Sequence, residues 1–246
     1  MSHPAGLPHA GLPRAVLFDW DNTLVDSWGI IEASVNVTLE AMGHQPWTSE
    51  EIRVRVRHSL RNAFPPLFGD RWEEARAIYY GHFAANHIQQ LRALPGADAL
   101  IRALHERGVY LAVVSNKTGR FLRAEAEALG WSGYFGGLVG AGDAAADKPA
   151  PDPVAMALAP AGLSVDETRA GDAADGGVWF VGDADIDMEC AHTAGCLPVL
   201  VSNGDGDFGR FPPALRVDDC VALCNLVRRL GGAISDTNSS ERAPRA

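Results

Sequence analysis

Residues 16–27 read VLFDWDNTLVDS. An apolar run ends at Asp19, and a second carboxylate, Asp21, follows two positions later. Two like charges that close repel, so a cation must sit between or opposite them. The run before them is apolar on both alternating faces, as a strand covered on both sides of a parallel sheet is. AVLF (15–18), YLAVV (110–114), GLVG (137–140), VWFV (178–181) and PVLV (198–201) all have this character. Helical patterns lie between them: ADALIRALHERG (97–108), GRFLRAEAEALG (119–130), DPVAMALAPAG (152–162) and DIDMECAHTAG (185–195). Each closes on Gly, a frequent helix stop. Strand–helix alternation of this kind predicts an α/β fold with a Rossmann-like, doubly wound parallel sheet.

One interval breaks the alternation. From Trp28 to Leu94 there is only helical pattern: IIEASVNVTLEAMG, EEIRVRVRHSLRNAF and DRWEEARAIYYGHFAANHIQQLRAL. This predicts an all-helical cap at 27–94 inserted into a core of 14–26 and 95–232, jointed at Val25–Ser27 and at Leu94-Pro95-Gly96. Trp28, Trp47 and Trp72 read as cap core. Residues 1–13 and 233–246 read as disordered tails. Ligands of such sheets bind beyond the carboxyl ends of the strands, so the insert would stand over the site as a lid.

Bulk properties narrow the function. The chain has 246 residues, 47% hydrophobic and 21% charged, with a formal net charge of -10. An acidic chain is a poor partner for nucleic acid or an anionic membrane. The opening MSHPAGLPHAGLP lacks an apolar core and a basic start, so neither a secretion signal nor an anchor is expected, and a cytoplasmic enzyme fits best. Cys190, Cys196, Cys220 and Cys224 read as buried free thiols. The sequence is compatible with a monomer or a homodimer.

The predicted topology gathers the polar residues that follow each strand: Asp19, Asp21 and Thr23; Ser115, Asn116 and Lys117; Lys148; Asp183 and Asp187. Asp19 and Asp183, with oxygen ligands nearby, suit Mg²⁺, which takes one or two carboxylates and leaves room for phosphate oxygens. That cation would answer the opening question and let a phosphate dianion approach. Lys117 and Lys148 are the only two lysines, against nineteen arginines, and both fall at strand ends. A compact ammonium serves there as a point charge. Trp20 lies between the two carboxylates, and strand alternation turns it away from them into packing. In the cap, Arg57 and Arg61 stand four apart on one helix face and could meet an anionic substrate body.

The chain resembles the haloacid dehalogenase superfamily, in the branch with a helical cap and closest to its phosphoglycolate phosphatases. FDWDNTLVDS matches the DxDxT motif, VVSNK the second motif, DKPAPDP the third and VGDADIDM the GDxxxD motif, in order over residues 14–204. The resemblance implies a Mg²⁺-dependent phosphatase for a small phosphorylated metabolite. Asp19 would be the nucleophile that forms an aspartyl-phosphate, and Asp21 the general acid and base. Thr23, Ser115, Asn116 and Lys148 would hold the loop and the phosphoryl oxygens, with Lys148 also offsetting Asp19. Asp19, the Asp21 carbonyl and Asp183 would bind Mg²⁺, with Asp187 acting through water. A sugar-phosphate mutase and a non-catalytic phospho-ligand binder are the alternatives. The family's usual Gly in the first motif is Asn22 here, a residue that tolerates left-handed backbone. The acidic insert 164–177, with Asp172 and Asp175, reads as a surface loop or interaction patch.

Overall fold

The computed structural model describes residues 11–164, 177–202 and 208–237. Its core is a six-stranded sheet: β1 (Ala15–Phe18), β4 (Tyr110–Thr118), β5 (Gly137–Ala141), β6 (Val178–Gly182), β7 (Leu197–Val201) and β8 (Leu215–Val217). The order is β5-β4-β1-β6-β7-β8, and every pairing is parallel. All five expected strands are present. β8 was not expected: its three residues LRV expose the central Arg216 at the sheet edge, too short a run to give a signal.

Helices cover both faces, as doubly wound sheets require. α5 (Ala97–His105), α6 (Gly119–Ala128) and α9 (Cys220–Thr237) lie on one side, where Val16 and Phe18 of β1 pack with Leu100, Leu122 and Val227. α7 (Asp152–Leu158) and α8 (Asp185–Ala194) lie on the other, where Ala15 and Leu17 meet Val154, Leu158 and Ala191. Burying Phe18 and Phe180 completely stabilises the core by about 1.5–3 kcal/mol each. Gly130 and Gly195 end α6 and α8 in left-handed geometry, with φ of 71° and 74°.

The helical insert holds α1 (Trp28–Ala41), α2 (Ser49–Arg55), α3 (Leu60–Phe68) and α4 (Trp72–Gln90). Leu39, Ile52, Phe64, Tyr79 and Phe83 form its own core, and Trp28, Trp47 and Trp72 pack against it. Its joint is a two-stranded antiparallel ribbon, β2 (Val25–Asp26) on β3 (Arg92–Ala93), where no strand was expected. Two-residue strands leave no periodicity to read.

Three expectations need correction. The pattern over 50–64 is not one helix. α2 ends at Arg55 and α3 begins at Leu60, so Arg57 lies in the connection and does not share a helix face with Arg61. Two β-branched residues, Val54 and Val56, weaken the helix there. The break also turns the Arg57 carbonyl toward Asn116 Nδ2, 3.2 Å away, and the Ser59 hydroxyl toward Asp147 Oδ2, 2.6 Å away. The second correction is at the carboxyl end, where α9 runs to Thr237, into the stretch 233–246 expected as a tail. Ala233 and Ile234 are compatible with helix and supply no stop signal. At the other end, Leu12 packs against the core inside the stretch expected as the N-terminal tail. The rest of both tails, and the acidic insert from 165 to 176 with Asp172 and Asp175, lie outside the described residues.

Candidate active site

β1 lies between β4 and β6, where the order of connection reverses, and the polar loops converge beyond its carboxyl end. Asp19 is tied into the sheet by its own amide, 2.8 Å from the Val181 carbonyl. The turn that follows needs left-handed backbone at Asn22, whose φ is 62°. Its side chain earns the position: Oδ1 accepts from the Ser27 amide at 3.2 Å. Asn thus keeps a turn for which Gly is the default residue.

Asp19, Asp183 and Asp187 present carboxylate oxygens within 4.8 Å of one another. Gly182 makes this possible, because a Cβ there would lie 2.4 Å from Asp187 Cβ and Cγ. Asp187 is then fixed by the Ala184 amide at 3.0 Å, and Thr23 Oγ1 donates to Asp183 at 3.3 Å. Lys148 enters from the loop after β5. Its Nζ donates to Asp19 at 2.6 Å and to Asp187 at 2.7 Å, with Lys148 only 2% exposed.

The electrostatics follow from burial. Desolvation pushes the Asp19 carboxyl up to about 6, reinforced by the anions Asp187 and Asp21 and opposed by Lys148. Asp183 is raised well above the carboxylate range, first by burial and then by Asp187 and Asp19. Burial alone would lower Lys148, but Asp187 and Asp19 override it and raise it. Three carboxylates with one ammonium leave an excess of negative charge. The set is all hard oxygen and closely spaced, with Asp19 and Asp183 destabilised as anions, which fits a small divalent cation such as Mg²⁺.

The other expected residues lie around the same cavity, of about 350 Å³. Ser115, Asn116 and Lys117 line it from β4. Ser115 Oγ accepts from the Lys117 amide at 3.2 Å, and Asn116 Nδ2 donates to the Arg57 and Lys148 carbonyls at 3.2 and 3.3 Å. The buried Asn116 Oδ1 has no partner among the described residues. Arg57 lines the cavity from the cap and pairs with Asp185 at 2.9 Å. Arg61 is elsewhere: its guanidinium forks onto Asp147, with Nη2 2.5 Å from Oδ1. Asp147 is buried and also accepts from Ser59, so this cluster docks the cap on the core. Trp28, Tyr79, Tyr80, Phe83 and Phe121 give the cavity an aromatic wall.

Three contributors escaped the sequence reading. Asp147 stands beside Lys148 without a motif of its own. Glu125 is 1% exposed, and His87 is also buried. Both carry a signal that could have found them. Glu125 falls on the apolar stripe of α6 with Phe121, Leu122 and Ala126, and His87 on that of α4 with Tyr79 and Phe83. A charged residue on a core stripe requires a buried partner. Trp20 is buried as expected, and its Nε1 donates to Glu125 at 2.7 Å.

Comparison with known proteins identifies the family. The haloacid dehalogenase-like hydrolase model matches residues 16–201. The chain belongs to that family. A phosphoglycolate phosphatase of Pseudomonas fluorescens is 30% identical over 86% of this chain and 79% of its own length. One from Aquifex aeolicus is 28% identical over 76% and 84%. A crystal structure from Haemophilus somnus, described as "a predicted phosphoglycolate phosphatase", superposes with a TM-score of 0.73 over 87% of this chain and 97% of that one, at 22% identity, and shows the shared fold. The chain is thus a hydrolase whose kin are phosphatases. Among the described residues no helix is long and apolar enough to cross a membrane, and all four cysteines are buried and free.

Proposed function

We propose that this chain is a Mg²⁺-dependent phosphatase that cleaves a small, anionic phosphorylated metabolite of the phosphoglycolate kind through an aspartyl-phosphate on Asp19. The observation that carries the reading is Lys148 clamped between Asp19 and Asp187 beside Asp183. Lys148 holds one oxygen of Asp19 and leaves the other to attack phosphorus. As the ester P–O bond breaks, Asp21 gives its proton to the leaving oxygen, then takes one from the water that splits the acyl-phosphate and frees phosphate. Ser115, the Asn116 backbone amide and Lys148 hold the equatorial oxygens, the Asn116 Nδ2 being engaged by the Arg57 and Lys148 carbonyls, and Thr23 steadies Asp183. Asp19, the Asp21 carbonyl and Asp183, with Asp187 through water, would hold Mg²⁺, which supplies charge neutralisation between the acidic site and the phosphoryl group.

Arg57 and His58, at the cap edge of the cavity, are placed to meet a second anionic group on the substrate. We place the enzyme in the cytoplasm, where its four free thiols suit the reducing conditions. The test is phosphate release across a panel of phosphometabolites, with Mg²⁺ and with EDTA, by wild type and Asp19→Asn. Release without a bisphosphate activator separates hydrolysis from mutase chemistry. We expect Asp19→Asn to fold normally and to lose at least about a thousandfold in rate. A variant that keeps its activity removes Asp19 from the nucleophile's role.

A further inference from the structure

Behind Asp21 lies a buried chain of side chains that leads out of the site and into the cap. Lys117 Nζ sits 2.5 Å from Asp21 Oδ1 and 3.1 Å from Glu125 Oε2. Glu125 Oε2 also accepts from Trp20 Nε1 at 2.7 Å, and Oε1 pairs with His87 Nδ1 at 2.8 Å. The Lys117 side chain is 3% exposed, that of Glu125 2% and that of His87 6%. Phe83 of α4 places its ring 4.9 Å from the ammonium, stacks on His87 at 5.1 Å, and His87 meets Phe121 edge-on at 5.0 Å.

This is an expensive arrangement unless it performs a task. A lone buried carboxylate costs several kcal/mol, and apolar packing would serve α6 as well. Both oxygens of Glu125 are instead satisfied, by groups from three separate places: the loop after β1, strand β4 and cap helix α4. Lys117 ends a flexible four-carbon stem. Asp21 alone would leave it free to swing toward the more acidic cluster around Asp19. Glu125 holds it back, and His87 and Phe83 close over the pair from the cap.

We infer that Glu125 and His87 are positioning residues: through Lys117 they fix the Asp21 carboxylate for proton delivery, and they make that geometry depend on α4 being docked. The inference rests on the reading of Asp21 given above. Glu125 and His87 touch no reacting atom, so their effect should follow the need for a proton at the leaving oxygen. An alkyl phosphate leaves as a basic alkoxide and needs the acid. A p-nitrophenyl phosphate leaves as a stable anion and does not.

The test measures kcat and KM of wild type and Glu125→Gln on 2-phosphoglycolate and on p-nitrophenyl phosphate, with thermal melts to check folding. General acid catalysis is worth about 10²–10⁴-fold, so loss of alignment should cost Glu125→Gln at least about tenfold more in kcat on the alkyl ester than on the aryl ester, with KM little moved. His87→Phe keeps the ring stack and loses the Nδ1–H; it should show the same split to a smaller degree, and His87→Gln should restore part of it. If Glu125→Gln does not fold, the His87 pair decides. Equal losses on both esters, or none, overturn the inference. A wild type that releases phosphate from neither ester overturns the phosphatase reading itself, a separate outcome.

Discussion

Lys148→Met removes the one cation that, among the described residues, touches Asp19 and Asp187, while keeping most of the apolar stem. The ammonium is 2.6 and 2.7 Å from its partners and 2% exposed. Removing one member of a buried ion pair costs about 3–5 kcal/mol, because the other charge stays behind. Here three carboxylates stay behind, with oxygens within 4.8 Å. At an effective dielectric of about 20, two charges at that distance repel by roughly 3 kcal/mol, which is the same order. The cluster can relieve this only by taking up a proton. Burial already raises Asp19 from 3.8 to about 6. Between those values the metal-free folded state holds a proton that the unfolded chain has lost, so its stability falls as pH rises through the window. Without Lys148 the window reaches further upward. The destabilisation should therefore be small near pH 5, about 3–5 kcal/mol near pH 8 in EDTA, and partly reversed by Mg²⁺. Lys148 itself is raised and stays charged throughout. Urea denaturation of both proteins at the two pH values, with EDTA or Mg²⁺, reads each quantity. An identical loss under all four conditions would mean that Lys148 merely fills space.

Gly182→Ala places a methyl 2.4 Å from Asp187 and must displace it; we expect about 1–3 kcal/mol of destabilisation and a weaker apparent Mg²⁺ affinity, read from the metal dependence of phosphate release. Asn22→Val forces a β-branched residue to a φ of 62° and should cost about 1–2 kcal/mol, whereas Asn22→Gly should cost less in the same denaturation assay.

The legible part of this protein is the part in which chemistry and backbone share a position. β1 shows itself because a strand covered on both faces has no polar residue until it ends at Phe18 and Asp19 follows. The motif residues follow from strand ends in the same way, and Asn22 from the few residue types that accept its backbone. What was hidden is tertiary. The ribbon at the cap joint is too short for any period, and β8 is an edge strand with one exposed Arg. The break between α2 and α3 arises because Arg57 and Ser59 bond to Asn116 and Asp147 from another layer, a demand that helical spacing cannot express. Glu125 and His87 left a trace as polar residues on core stripes, but the stripe does not name the partner.

The two lysines connect these levels. In a chain with nineteen arginines, each lysine is buried against one of the two first-motif aspartates, Lys148 on Asp19 and Lys117 on Asp21. Each also touches a second carboxylate, Asp187 or Glu125. The arginines that form ion pairs are mostly exposed or, like Arg57 and Arg61, at the seam between cap and core. A guanidinium is a broad planar fork suited to one carboxylate face-on, whereas an ammonium can sit in a narrow space between two acids. Under the function proposed above, the site needs the second geometry twice, because two anions close to phosphate are tolerable only when each is balanced from behind without blocking its front. The pairing therefore separates the two aspartates electrostatically. Asp19 shares its cation with Asp187 of the acidic cluster, and Asp21 shares its cation with a carboxylate locked to the cap. One aspartate is set up by the core alone and the other by the core and cap together; under the function proposed above, a single strand end would thereby hold its nucleophile ready while its acid depends on the docked cap.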